Sequence, residues 1–126
     1  MLGSALVTPI AGAAPVHTNT AKGPGQVQAL LETVVDSLEK DDVAKLYQVS
    51  SGTLKAAFTP ELFNKLSVQM KSAMSEGTTK TYLGSLKRGL NRTHLWRMEI
   101  TKAGAYDLLL ELTVADHGKV VGFYVR

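Results

Sequence analysis

Apolar residues fall every three or four positions between Gln26 and Glu39, where Val27, Leu30, Leu31, Val34, Val35 and Leu38 form one stripe. That spacing predicts a helix with one buried face. Gln28, Glu32, Asp36 and Glu39 fall on its other side. Lys40-Asp41-Asp42 interrupts the pattern, and Asp41 is the expected N-cap of a second, short helix from Asp42 to Val49 that buries Val43, Leu46 and Tyr47. Thr53 to Phe58 reads as irregular with one turn. Thr59-Pro60-Glu61 is a strong helix start, since Thr caps, Pro suits the first helical position and Glu favours the positive helix end. That helix carries Leu62, Phe63, Leu66, Met70 and Met74 and stops at Gly77.

Beyond Gly77 the period changes from helical to two. Thr79 to Leu90 has Tyr82, Leu86 and Leu90 with Gly84 and Gly89 interspersed, which predicts a bent or bulged strand. Asn91-Arg92 is the expected turn. Thr93 to Thr101 sets His94, Trp96, Met98 and Ile100 against Leu95, Arg97, Glu99 and Thr101. After a turn at Lys102-Ala103-Gly104, Tyr106, Leu108, Leu110, Leu112 and Val114 share one face of a third strand, with Asp107, Leu109, Glu111 and Thr113 on the other. Asp116-His117-Gly118 turns the chain into a last strand, Val120 to Val125. Short turns make these strands antiparallel neighbours, and the apolar face of the sheet needs the helices as cover. The expected fold is therefore α+β, with N-terminal helices packed on a bent four-stranded antiparallel sheet.

The first 25 residues differ from the rest. Met1 to Gly25 contains no acid and a single base, Lys22, and Gly23-Pro24-Gly25 closes the segment. Leu6 to Ala14 is a short apolar run, and Ala11-Gly12-Ala13 fits the small residues of a signal cleavage site, although the basic start of a secretory signal is missing. Residues 1–25 are read as a flexible tail or signal-peptide remnant and residues 26–126 as a single domain. The expected location is secreted or periplasmic, with the cytoplasm as the alternative.

Composition narrows the function classes. Across 126 residues, 44% are hydrophobic and 20% charged, which excludes disorder of the whole chain. No run approaches the roughly 18 apolar residues of a spanning helix. With no cysteine there is no disulfide, thiol nucleophile or thiolate metal site. The three histidines, His17, His94 and His117, lie far apart in unlike contexts, so neither a metal site nor a cofactor is expected. Nucleophile-elbow and phosphate-loop motifs are absent. The net charge of +3 is modest. Lys80, Lys87, Arg88, Arg92 and Arg97 cluster in the middle of the chain without a run of like charge, which reads as a solvated basic edge rather than a nucleic-acid surface. Asn91-Arg92-Thr93 is an N-glycosylation sequon that matters only in a secreted eukaryotic chain.

Three segments carry a resemblance. They are Leu38-Glu39-Lys40-Asp41-Asp42, Phe58-Thr59-Pro60-Glu61-Leu62 and the ending Val114-Ala115-Asp116-His117-Gly118-Lys119-Val120-Val121-Gly122-Phe123-Tyr124-Val125. Together with the element order, they make residues 26–126 similar to the nuclear transport factor 2-like (cystatin-like) superfamily. More narrowly, they resemble its small bacterial domains found in secreted or surface proteins. The resemblance implies a curved sheet wrapped as a cone around a helix. It implies no particular activity, because that superfamily holds isomerases, dehydratases and hydrolases beside members that only bind or pair. Its enzymes place an Asp, Glu or His in the apolar mouth of the cone. His94 is the weak catalytic candidate here, as a general base. Tyr82, Trp96, Met98 and Tyr106 are the candidate ligand-binding residues for a small apolar ligand.

The last strand is apolar on both faces, since Val121, Phe123 and Val125 alternate with Val120, Gly122 and Tyr124. A strand of that kind is usually covered twice, by its own helices and by a partner. The leading expectation is a non-enzymatic binding or assembly module that forms a homodimer, or docks a protein partner, through its sheet. The alternative is an enzyme of the cone type (isomerase, dehydratase or cyclase) using His94.

Overall fold

The chain runs β1 (His17–Ala21), α1 (Gly25–Glu39), α2 (Val43–Val49), α3 (Gly52–Ala57), α4 (Pro60–Met74), β2 (Thr78–Arg88), β3 (Asn91–Ile100), β4 (Leu108–Val114) and β5 (Val120–Val125). This computed structural model describes residues 15–126. The apolar run at 6–14 and the Ala11-Gly12-Ala13 triplet lie outside the described residues. No helix among the described residues is long and apolar enough to cross a membrane.

The general class is the expected α+β, but the sheet has five strands, is mixed, and does not close. Its order is β1-β2-β3-β4-β5. β2 to β5 form the anticipated antiparallel meander. The added strand, β1, comes from the segment read as tail and pairs parallel with β2, His17 opposite Thr78 and Asn19 opposite Lys80. A parallel pair needs a long crossover, and here α1 to α4 supply it.

Local chemistry explains most element boundaries. Asp42 rather than Asp41 caps α2, accepting from the Lys45 amide at 3.2 Å, while Asp41 takes a left-handed φ of 53° just before it. Thr59 caps α4 as expected, accepting from the Leu62 amide at 3.3 Å. Ser51 does the same for Leu54 and turns the segment read as irregular into α3. The first hairpin turns at Gly89-Leu90 instead of Asn91-Arg92. Gly89 has a φ of 62°, and Gly leading a two-residue loop suits the twist of paired strands. The bend anticipated in β2 is a bulge between Tyr82 and Gly84.

The core lies between the helices and one face of the sheet. Leu31, Val34 and Leu38 of α1 and Phe63, Met70 and Met74 of α4 meet Trp96, Met98, Leu110 and Leu112. The buried Ser67 of α4 packs against the end of α1. The Ser67 hydroxyl donates to the Leu38 carbonyl at the end of α1, which also accepts from the Asp41 amide at 3.3 Å.

Gly77 joins α4 to β2 at a tight crossing. Its φ is 113°, and a Cβ there would sit 2.5 Å from the Val16 carbonyl oxygen, which accepts from the Thr78 amide. Both the conformation and the contact exclude a side chain. We expect Gly77→Ala to lower the stability measured by chemical denaturation by about 1–3 kcal/mol. Gly52→Ala, at the start of α3 with open space around it, should be neutral or stabilise by up to about 1 kcal/mol.

Candidate functional site

Three regions hold the chemistry-bearing residues: an aromatic cluster at one end of the core, the uncovered outer face of the sheet, and a polar groove beside β1.

The aromatic cluster contains three of the residues singled out from sequence. The β3 alternation turns His94, Trp96 and Met98 toward the helices, and the β2 register brings Tyr82 opposite Trp96. The Tyr82 and Trp96 rings meet edge to face at 5.2 Å, and the Tyr82 hydroxyl lies 2.9 Å from His94 Nδ1. Trp96 and Met98 are wholly buried, so they serve as core. Tyr106 does not join them. The strand expected from Tyr106 begins only at Leu108, and Tyr106 is 88% exposed in the preceding loop.

Gln28 organises this cluster, and the sequence reading gave it no role. It is 5% exposed, and its side-chain oxygen accepts from Trp96 Nε1 at 3.1 Å and from the Gly23 amide at 2.8 Å. Gly23 lies against the Tyr82 and Trp96 rings, where a Cβ would come within 2.9 Å of Tyr82. The segment between β1 and α1 is thereby sealed over the aromatic end of the core. Replacing Gln28 by Leu orphans the indole N–H, which water cannot reach. The unfolding midpoint, followed through the fluorescence of this lone tryptophan, should fall by an amount equivalent to about 1–3 kcal/mol.

His94 also reaches the wall of a shallow cavity of about 280 Å³ beside Asn91, Arg92 and Asp116. Burial lowers its pKa, and the neighbouring Arg92 lowers it further. The imidazole is therefore neutral at pH 7. Unfolded, it titrates near the ordinary value of about 6.5. Between that value and the lower folded one, the unfolded chain binds the extra proton, so stability declines as pH drops through this interval. A series of denaturation midpoints from pH 7.5 downward should show that decline, with a shallower slope in His94→Gln.

The outer sheet face is not the one anticipated for β5. A register shift near Val121 resets the alternation, so that Val120, Phe123 and Val125 all face the core and Gly122 and Tyr124 face out. The outer face instead gathers Leu86, Leu95, Leu109 and Tyr124 from four strands. Threonines surround them, and Thr93 and Thr113 share a hydrogen bond of 2.8 Å. Arg97 pairs with Glu99 at 3.4 Å, and Arg126 pairs with Glu111 and covers the Tyr124 ring. Leu86 and Tyr124 expose 48% and 58% of their surface.

The basic residues do not share one face. Lys87, Arg88 and Arg92 project from the β2–β3 hairpin and Arg97 lies on the outer face, whereas Lys80 is buried on the inner side.

That lysine belongs to the polar groove. The side of α1 carrying Glu32, Asp36 and Glu39 faces β1 and Lys80 across a groove of about 460 Å³ that also takes in His17 and Lys45. Asp36 accepts from Lys45 and pairs with Lys40 at 3.2 Å. The Lys45 hydrogen bond is the main cause holding the Asp36 carboxyl below its ordinary pKa. No group of three or more His, Cys, Asp or Glu among the described residues is placed to hold a metal ion.

Comparison of the chain with protein-family models, curated proteins and solved structures finds no match in any of the three, so function is read from the geometry alone.

Proposed function

We propose that the protein is a non-enzymatic binding and assembly module that pairs with a second copy of itself through the outer face of its sheet. The observation that carries this reading is the uncovered centre of that face. The helices occupy only the other side, and an antiparallel face that met water alone would present polar residues at its middle. Here Leu95 and Leu109 stand in the middle, with Leu86 and Tyr124 exposed beside them. The Arg97–Glu99 and Arg126–Glu111 pairs give the patch both signs of charge. A two-fold interface sets a patch against its own copy, so a surface bearing both signs can be self-complementary. An apolar centre with a polar surround is also how stable interfaces are built.

The resemblance to the nuclear transport factor 2-like superfamily, with its cone-shaped sheet, is part of this proposal. Helices on one side of an antiparallel meander with a bulged second strand support it. Placement outside the cytoplasm, in the secreted or periplasmic space, is a further part of the proposal, supported by the composition of the first 25 residues.

A second reading draws on His94, which is neutral, held by Tyr82 and placed on a cavity wall. It is that of a cone-type isomerase, dehydratase or cyclase with His94 as general base. The two readings separate by substitution. Light scattering over a concentration series should show a dimer that grows in with concentration. Leu86→Glu combined with Tyr124→Ser should return it to a monomer without unfolding it, because both positions are about half exposed. His94→Gln should leave the dimer intact. A wild-type chain that stays monomeric at millimolar concentration would refute the assembly reading.

A further inference from the structure

Lys80 is an anomaly of the inner sheet face. It stands between Asn19 of β1 and Met98 of β3, with 6% of its surface exposed. Among the described residues its ammonium makes no hydrogen bond and no ion pair within 4 Å. The Lys80 stem is buried while its ammonium opens on the groove, and a methionine of similar length would fill the same space with no charge to desolvate. Burial pushes the Lys80 pKa down, and Glu32 and Glu39 across the groove oppose the shift.

The rest of the groove is partly satisfied from within. Asp36 is neutralised by Lys45 and Lys40. Glu32 accepts from Asn19 at 3.3 Å and from Gln28 at 3.2 Å, and among the described residues it makes no ion pair within 4 Å. His17 is fixed through Nδ1, 2.8 Å from the Thr78 hydroxyl. Its Nε2 is buried and lacks a hydrogen bond, lying 3.2 Å from a Glu39 oxygen but out of line with it. After internal pairing, one ammonium and two carboxylates are left facing a cavity of small-molecule size.

We propose that this groove binds a small zwitterion of the amino-acid class, its carboxylate on Lys80 and its ammonium between Glu32 and Glu39. An anion alone would answer Lys80 but meet the two carboxylates. A cation alone would answer the carboxylates and leave the Lys80 ammonium without a partner. Only a ligand bearing both charges answers the whole set. The groove lies on the helix side of the sheet, so this site is independent of the pairing proposed for the outer face.

The test is calorimetric titration of the full chain with glycine, L-alanine, L-lysine and L-glutamate, with acetate and methylammonium as half-ligands. The expected result is one-to-one binding of at least one amino acid, with each half-ligand at least about tenfold weaker, as the loss of one charge-assisted contact implies. Amide resonances of Asn19, Glu32, Glu39 and Lys80 should move on binding. Lys80→Met should abolish binding in a folded protein. Glu32→Gln, at an exposed position that does not endanger the fold, should weaken it by about tenfold. The proposal is overturned if none of the four amino acids binds. It is equally overturned if acetate binds as well as they do, or if affinity survives Lys80→Met.

Discussion

The indole N–H of Trp96 must find an acceptor inside the protein, and much of the architecture follows from where it finds one. Trp96 is the largest wholly buried side chain and sits on the central strand of the sheet. Its N–H donates to Gln28, in the second turn of α1. An indole that failed to pair would forfeit much of what its burial gains. The same Gln28 oxygen takes the Gly23 amide, so one side chain ties together the central strand, the first helix and the segment leading from β1. Once α1 is fixed in this way, its leucine and valine stripe covers β3 and β4. Its acidic side is carried toward β1 and Lys80.

This double use of α1 explains what was legible in the sequence and what was not. The apolar stripe from Val27 to Leu38 and the alternation in β3 and β4 are local patterns with the period of their own element, and both lead to the right core. Caps and turns were legible to within a residue or two, as Asp41 against Asp42 and Asn91 against Gly89 show. β1 was not. His17 to Ala21 is five residues, mostly polar, and its partner lies about sixty positions away in β2. No local period records a parallel pairing of that kind. Read as a tail ahead of an α+β domain, the segment conceals that Asn19 and His17 are wall residues of a groove.

The polar side of α1 was misleading for a related reason. An amphipathic helix is ordinarily divided into a core face and a solvent face. Gln28, Glu32, Asp36 and Glu39 make a second stripe, and this helix has three environments rather than two. Gln28 is buried against Trp96 and Gly23, while Asp36 and Glu39 are half-buried against Lys45 and His17. A glutamine four residues ahead of a glutamate, aligned with two further acids, is the sequence signal that was available. It becomes interpretable only when β1 is known to lie beside it. The bulge near Val121 is a comparable case, because one inserted residue turns Val120, Phe123 and Val125 to the same face and leaves Tyr124 outside.

The two faces of the sheet therefore raise different physical questions. On the outer face the unanswered surface is apolar, and association would remove Leu95 and Leu109 from water without disturbing any internal bond. On the inner side the unanswered groups are charged, and the free protein already bears their cost. A lysine stem buried beneath α1 could have been an aliphatic residue with no loss of packing, and Glu32 and Glu39 could have been neutral without changing the helix. Their joint presence around one cavity, with Asp36 already satisfied by two lysines, is what distinguishes a site from a solvated run of charge. Solvated charges on a surface are separately stabilised by water and need no partner. The Lys80 stem is withdrawn from water and its ammonium opens on the groove, which leaves room for an answering group to come from outside the chain.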